Sequence, residues 1–223
     1  MIRFGTMSQI VYQLTPMVIG LLLSPITIAA LIIMLMTARA QSNGLAFIAG
    51  WFLGIFGVGL VVISFPGLGI GDGAPLIYAG HVKIFIALLL IVWAVYKVSR
   101  RYYLPNPQTP RFLQSLDHIK SSRAFGVGLL VSAGNIKNIG FSAAAAVIIN
   151  QAQIVYPANL LYLTSYTIVG SISVLVPFII YFLMKHQADP ILLIWKTWLI
   201  RNQVYVLSGI VVFVAMMLIK SAV

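Results

Sequence analysis

Apolar residues fall in long runs, and the polar positions between them divide the chain into six stretches of membrane-spanning length. The runs cover about 16–36, 44–65, 81–98, 124–150, 160–184 and 204–219. Each approaches the ~20 residues an α-helix needs to cross a hydrocarbon layer. A single chain can satisfy its backbone there only as helices or a closed barrel, and runs of this length predict helices. The expected fold is an all-α polytopic membrane protein with six transmembrane helices. Residues 1–13 are short and mixed and stay outside the first span. Ala38-Arg39-Ala40 looks like a signal-cleavage site, but the run before it is longer than a signal core and its positive start is thin, so it reads as a retained span.

Two spans are interrupted. Ser24-Pro25-Ile26-Thr27 breaks the first, because proline removes a backbone donor and disfavours helix at the residue before it. Gly134-Asn135-Ile136-Lys137-Asn138 breaks the fourth. Lys137 stands roughly a dozen residues from either end of its span, about 18 Å of helix, which is too deep for its stem to snorkel out. An amine at that depth costs at least ~2.5–3.5 kcal/mol, so an intramembrane lysine marks a site by default. Pro177 predicts a kink in the fifth span. Gly50, Gly54 and Gly57 share one face of the second, a close-approach surface for another helix. The hydroxyl series Thr164, Ser165, Thr167, Ser171 and Ser173 is a weak site candidate, since such groups often bond their own helix. Asn43 is placed to cap the second span.

Between the spans the charges are uneven. The turn after the first span carries Arg39. Lys97, Arg100, Arg101, Arg111, Lys120 and Arg123 follow the third span, and Lys185, Lys196 and Arg201 with Trp195 and Trp198 form an interfacial belt after the fifth. The loops after spans two and four carry no cation. Basic loops stay in the cytoplasm, which puts both termini outside a multi-pass protein of the cytoplasmic membrane. Within the basic loop, Phe112, Leu113, Leu116 and Ile119 recur at helical spacing, a short amphipathic helix lying on the membrane or buried in the structure. This loop, 99–123, separates a first three-helix repeat, 1–98, from a second, 124–223. Three is odd, so the second repeat enters the membrane from the opposite side. Two inverted repeats with interrupted helices 1 and 4 are how many secondary transporters build a midplane site.

Composition narrows the function. The chain is 61% hydrophobic and 8% charged, with no cysteine and three carboxylates, Asp72, Asp117 and Asp189, all outside the spans. Thiol chemistry and thiolate metal sites are excluded. The net charge of +11 belongs to loops, not to a basic face on a soluble domain, so no nucleic-acid partner is expected. His81 and Lys83 sit at an interface without ligand-spaced partners. No histidine or aspartate pairs by spacing with a nucleophile, so an enzyme is the least favoured class, and no cofactor or metal is expected. Lys137 has no acidic partner from the chain. Either it is held neutral, or its counter-charge arrives with a ligand as a carboxylate, sulfate or phosphate.

These segments resemble a known family. The stretch 23–51, with Ser24, Pro25, Arg39, Asn43, Gly44, Ala46, Phe47, Gly50 and Trp51, is similar to the first repeat of the peptidoglycolipid-addressing (GAP, or sulfolipid-addressing) proteins of the lysine-exporter superfamily. Leu116, Asp117, Arg123, Ala124, Phe125, Gly126, Ser132, Ala133, Asn135, Lys137 and Asn138 match the second repeat, and Leu175, Val176, Pro177, Trp198, Arg201 and Asn202 also fit. Where that family has proline between Asn and Lys, this chain has Ile136, leaving the break to Gly134 and Asn135. The resemblance implies export of an anionic lipid or glycolipid across the cytoplasmic membrane. The candidate substrate-binding residues are Lys137, Asn135, Asn138, Ser24, Pro25, Thr27, Arg39 and Asn43. Two alternatives stand beside it: a lysine-exporter-like exporter of amino acids or other small solutes, and a non-transporting scaffold for a lipid-synthesising enzyme. The glycine face could also serve a homodimer.

Overall fold

In the computed structural model, residues 4–65, 88–89, 91–92, 94–100, 119–154 and 156–220 are described. The loop 66–80, with Asp72, lies outside them, as do His81, Lys83 and the amphipathic segment 112–118. Every element among the described residues is helical. In chain order these are α1 (Phe4–Leu22), α2 (Pro25–Leu35), α3 (Ala40–Ser64), α4 (Ser121–Ala133), α5 (Ile136–Gln151), α6 (Ala158–Gly170), α7 (Ile172–Met184), a 3-10 turn (Lys185–Ala188) and α8 (Asp189–Lys220). Residues 94–100 are also helical.

Of these, α3 is long and apolar enough to cross a membrane alone. Two further crossings follow if bent pairs are taken together: Ser8–Leu22 with Pro25–Leu35, bent by 50°, and Ala158–Gly170 with the helical run from Ile172, bent by 58°. The apolar composition and these helices mark a membrane protein.

Both expected interruptions are present, and a third appears. Leu23 and Ser24 separate α1 from α2, and Gly134 and Asn135 separate α4 from α5. The fifth stretch breaks at Ser171, whereas Pro177 lies inside α7. Ser171 ends one helix and starts the next, its N–H bonding back to Thr167 and its carbonyl accepting from Val174 and Leu175. Two boundaries also move. The first helix begins at Phe4, not near residue 16. The belt expected at 185–203 is mostly the opening of the 32-residue α8.

Packing explains the arrangement. Almost every residue of α2, including Leu31, Ile32 and Met34, is buried, the signature of a helix at the centre of a bundle. It touches α3, α7 and α8. The closest pair is α3 with α4, where a Cβ on Gly50 would strike the Phe125 carbonyl and one on Gly128 the Phe47 carbonyl. Small residues on both helices (Gly50 and Gly54; Ala124, Gly128 and Ser132) bring the two backbones together. The expected glycine face holds at Gly50 and Gly54, but Gly57 meets nothing within 4 Å. Asn43 lies near Ser121 and Gly54 near Ser132, so α3 and α4 run parallel. In contrast α1 and α5 run antiparallel: Gly20 sits on Phe141, while Gln13 and Pro16 share a cavity wall with Ile148 and Gln151.

Candidate functional site

The three breaks meet at one level of the bundle. Trp51 is fully buried at the middle of α3, 11 residues and about 17 Å from its start. Its indole Nε1–H donates to Ser171 Oγ at 3.1 Å, at the α6–α7 break. One turn on, Gly54 abuts Ser132 and Ala133, just ahead of the α4–α5 break. Gly170 packs on Leu21, at the end of α1.

A helix end leaves four carbonyls without intrahelical partners, and at the end of α1 each is accounted for. Ile19 O accepts from the Leu23 N–H at 3.1 Å and Leu22 O from the Ser24 N–H at 3.0 Å. Leu21 O accepts from Ser24 Oγ at 2.8 Å. Gly20 O accepts from Lys137 Nζ at 2.6 Å. The same amine donates to Leu23 O at 3.1 Å and Ser24 Oγ at 2.9 Å, and stands 5.7 Å from the centre of the Phe141 ring. Lys137 therefore caps α1 from across the bundle. Its partners are two backbone carbonyls and a hydroxyl, dipoles and not formal charges. The carbonyl end of a helix carries about half a negative charge. Three charge-assisted bonds at ~1.5–3 kcal/mol each offset the ~2.5–3.5 kcal/mol cost of the amine.

The other side of that break is positive. Ser24 is the N-cap residue of α2, yet its side chain makes no cap bond, because its hydroxyl is turned back to Leu21. Pro25 opens the helix and Thr27 is buried in its first turn. The start of α2 thus keeps amide donors that Ser24 does not cap, beside the Lys137 amine.

Asn135 makes the second break. Its backbone is extended (φ −95°, ψ 113°) and its side chain accepts from the Lys137 N–H at 3.0 Å, a standard N-cap. Ile136 takes the first helical position and is 86% exposed. Proline is favoured there because that N–H is unpaired anyway, so its absence does not remove the break. Asn138 is fully buried, and its Nδ2 donates to the Val131 carbonyl at 3.0 Å, capping α4.

Lys137, Asn135, Asn138, Ser24, Pro25 and Thr27 are thus brought together, and Arg39 and Asn43 are not. Those two lie at the start of α3, Asn43 being 8 residues or about 12 Å along the helix from Trp51. Arg39 is the exposed N-cap residue, without a side-chain cap bond. Asn43 does not cap α3, which begins at Ala40. Its Nδ2 donates to Thr37 Oγ1 at 3.1 Å and the Ile119 carbonyl at 3.0 Å, and its Oδ1 accepts from Ser121 Oγ at 3.0 Å. It ties α3 to the approach of α4. The sequence reading held Ser171 only as one of a weak hydroxyl series and passed over Trp51 as a member of the junction. A single buried indole among apolar residues needs a partner for its N–H, and that was the available signal.

Beside the junction, a cavity of about 600 Å³ is walled by Tyr12, Pro16, Ile19, Ile148, Phe213 and Met216. Ile19 adjoins Gly20, whose carbonyl holds the amine. The Ile19 end of this slot therefore lies within one helical turn of the carbonyl that holds the amine, and the slot runs from there toward Tyr12 and Gln151. A family profile described as Sap, sulfolipid-1-addressing protein, matches residues 14–223. No curated protein and no solved structure matches the chain.

Proposed function

The chain belongs to the sulfolipid-1-addressing protein family, and from that premise we propose that it carries an anionic lipid or glycolipid across the cytoplasmic membrane. The observation that carries this reading is the Lys137 amine, lodged on the α1 carbonyls beside the uncapped start of α2. An incoming sulfate, phosphate or carboxylate competes for that amine with neutral carbonyls, and it also receives the amide donors of α2. Binding then draws Lys137 off α1 and frees the α1–α2 hinge, while the apolar cavity at Ile19 takes a hydrocarbon chain. The ligand shifts the hinge only as far as it prefers the released state.

The proposed topology is six spans in two inverted halves, 1–98 and 124–223, joined by the basic segment 99–123, with both termini outside. In its favour, α3 and α4 come from different halves and run parallel, while α1 and α5, each flanking a break, run antiparallel. An odd number of crossings per half produces this relation. The reading is that of a carrier and not an enzyme, on the same scaffold as superfamily exporters.

Purified protein in vesicles with a labelled anionic lipid tests the proposal. Wild-type protein moves the lipid between leaflets, Lys137→Ala does not, and a zwitterionic lipid with the same chains moves more slowly. Equal rates for the two lipids, or wild-type rates in Lys137→Ala and Lys137→Arg, refute it.

A further inference from the structure

Beyond Lys137 the packing leaves polar atoms that nothing in the protein satisfies. Asn138 uses its Nδ2 on Val131, and its Oδ1 has no partner. One turn further along α5, Ser142 Oγ has none. Both residues are completely buried. Across the seam the Tyr166 hydroxyl of α6 approaches Ser142 as a hydrogen-bond neighbour, though neither oxygen has a partner of good geometry. Tyr162, one turn back along α6, also has a buried hydroxyl without a partner. Positions four apart on a helix are neighbours on one face, so Asn138 and Ser142 share a face of α5, Tyr162 and Tyr166 share a face of α6, and the Ser142–Tyr166 approach joins the two pairs. The row starts beside the Lys137 junction and points toward the Ser64 end of α3. That direction follows from Leu163 packing on Gly59 and Asn150 Nδ2 donating to the Val62 carbonyl at 3.3 Å.

Leaving four such groups dry would cost a large part of a domain's net stability. Native proteins avoid this by placing ordered water among groups they cannot pair directly. A cation such as Na⁺ fits the row less well. No carboxylate lines it, the one carboxylate among the described residues, Asp189, is paired with His186 at 3.7 Å, and the Lys137 ammonium is next to Asn138.

We infer that the seam between α5 and α6 holds a file of ordered water running from Asn138 past Ser142 and Tyr166 to Tyr162. Its role rests on the proposed carrier cycle: when Lys137 turns to an anion, the Gly20 and Leu23 carbonyls lose their donor, and water from the file replaces it. The file itself does not depend on that cycle.

The test of the file uses readouts that need no transported lipid. In radiolytic labelling of the wild-type protein in lipid nanodiscs with ¹⁸O water, Tyr166 and Tyr162 take up label about tenfold faster than the fully buried Phe47, corrected for intrinsic reactivity. The chain has no cysteine, so Ser142→Cys can be read without background. Ag⁺, small enough to travel with water, modifies it, and leaves Ala146→Cys, at a fully buried apolar position, untouched. Tyrosine labelling no faster than Phe47, or an inert Ser142→Cys, overturns the file and leaves the anion site standing. A rise in melting temperature when Na⁺ replaces choline overturns it in favour of a cation. Lipid movement slowed severalfold in Ser142→Ala, with labelling lost, supports the role, and wild-type movement in that variant overturns the role alone.

Discussion

Replacing Lys137 by methionine separates the two tasks assigned to its amine. The stem length is kept and the charge removed. Gly20 O and Leu23 O then lose their donor, and each acceptor left alone in apolar surroundings costs about 1–3 kcal/mol, or about 2–6 for the pair. Removing the charge returns about 2.5–3.5 kcal/mol of insertion cost. The net runs from a stabilisation of about 1.5 kcal/mol to a destabilisation of about 3.5 kcal/mol, centred near 1 kcal/mol of destabilisation. For a chain of this size each kcal/mol is about 2–4 °C in melting temperature. Ligand response adds a sharper signal. An anionic amphiphile that binds at one hundred times its dissociation constant stabilises the wild-type protein by about 2.7 kcal/mol, and Lys137→Met loses most of this. Both quantities are read in one thermal melt in nanodiscs, with and without amphiphile, following tryptophan emission. Trp51 reports from the junction itself. A variant that still gains the full stabilisation from the amphiphile refutes the site, and one stabilised by more than about 1.5 kcal/mol without ligand refutes the cap.

Glycines on α3 are expected to diverge: Gly57→Ala, open to space, gains about 0.5–1 kcal/mol of helix stability, whereas Gly50→Ala meets the Phe125 carbonyl and loses about 1–3 kcal/mol. Thermal melts of the two purified variants decide it. Ile136→Pro, at the first position of α5 after an extended Asn135, holds or raises stability by about 0.4–1 kcal/mol, and a fall of that size would contradict the cap. Asn43→Ala leaves the Ile119 carbonyl without its donor and costs about 1–3 kcal/mol, yet lipid movement per folded molecule stays at the wild-type rate. A selective loss of movement would return Asn43 to the site.

Much of this architecture could be read from residue order, for local reasons. Runs near 20 apolar residues dictate helices. Ser24-Pro25 and Gly134-Asn135 are backbone signals whose effect does not depend on neighbours, and both breaks are found. The glycine spacing on α3 announced a close partner without naming α4. The break at Ser171 was hidden, because nothing in Gly170-Ser171-Ile172 competes with the conspicuous Pro177. It is held in place by long-range contacts, the Trp51 indole and the Leu21 side chain. The start of α1 was missed because continuous apolar runs were the signal followed, whereas its residues alternate apolar and polar positions at helical spacing, with Ile10 and Leu14 on the buried face.

Alone, the order of residues determined that this is a helical membrane protein with two weak points and one isolated ammonium deep in an apolar run. Propensity, proline sterics and hydration cost act over a few residues, and they suffice for that. Which groups meet the ammonium was a tertiary matter. Gly20 and Leu23 are 117 and 114 residues away in the chain, and a backbone carbonyl looks the same in every sequence. Only the folded bundle, by ending one helix beside another's lysine, turned ordinary carbonyls into its counter-charge.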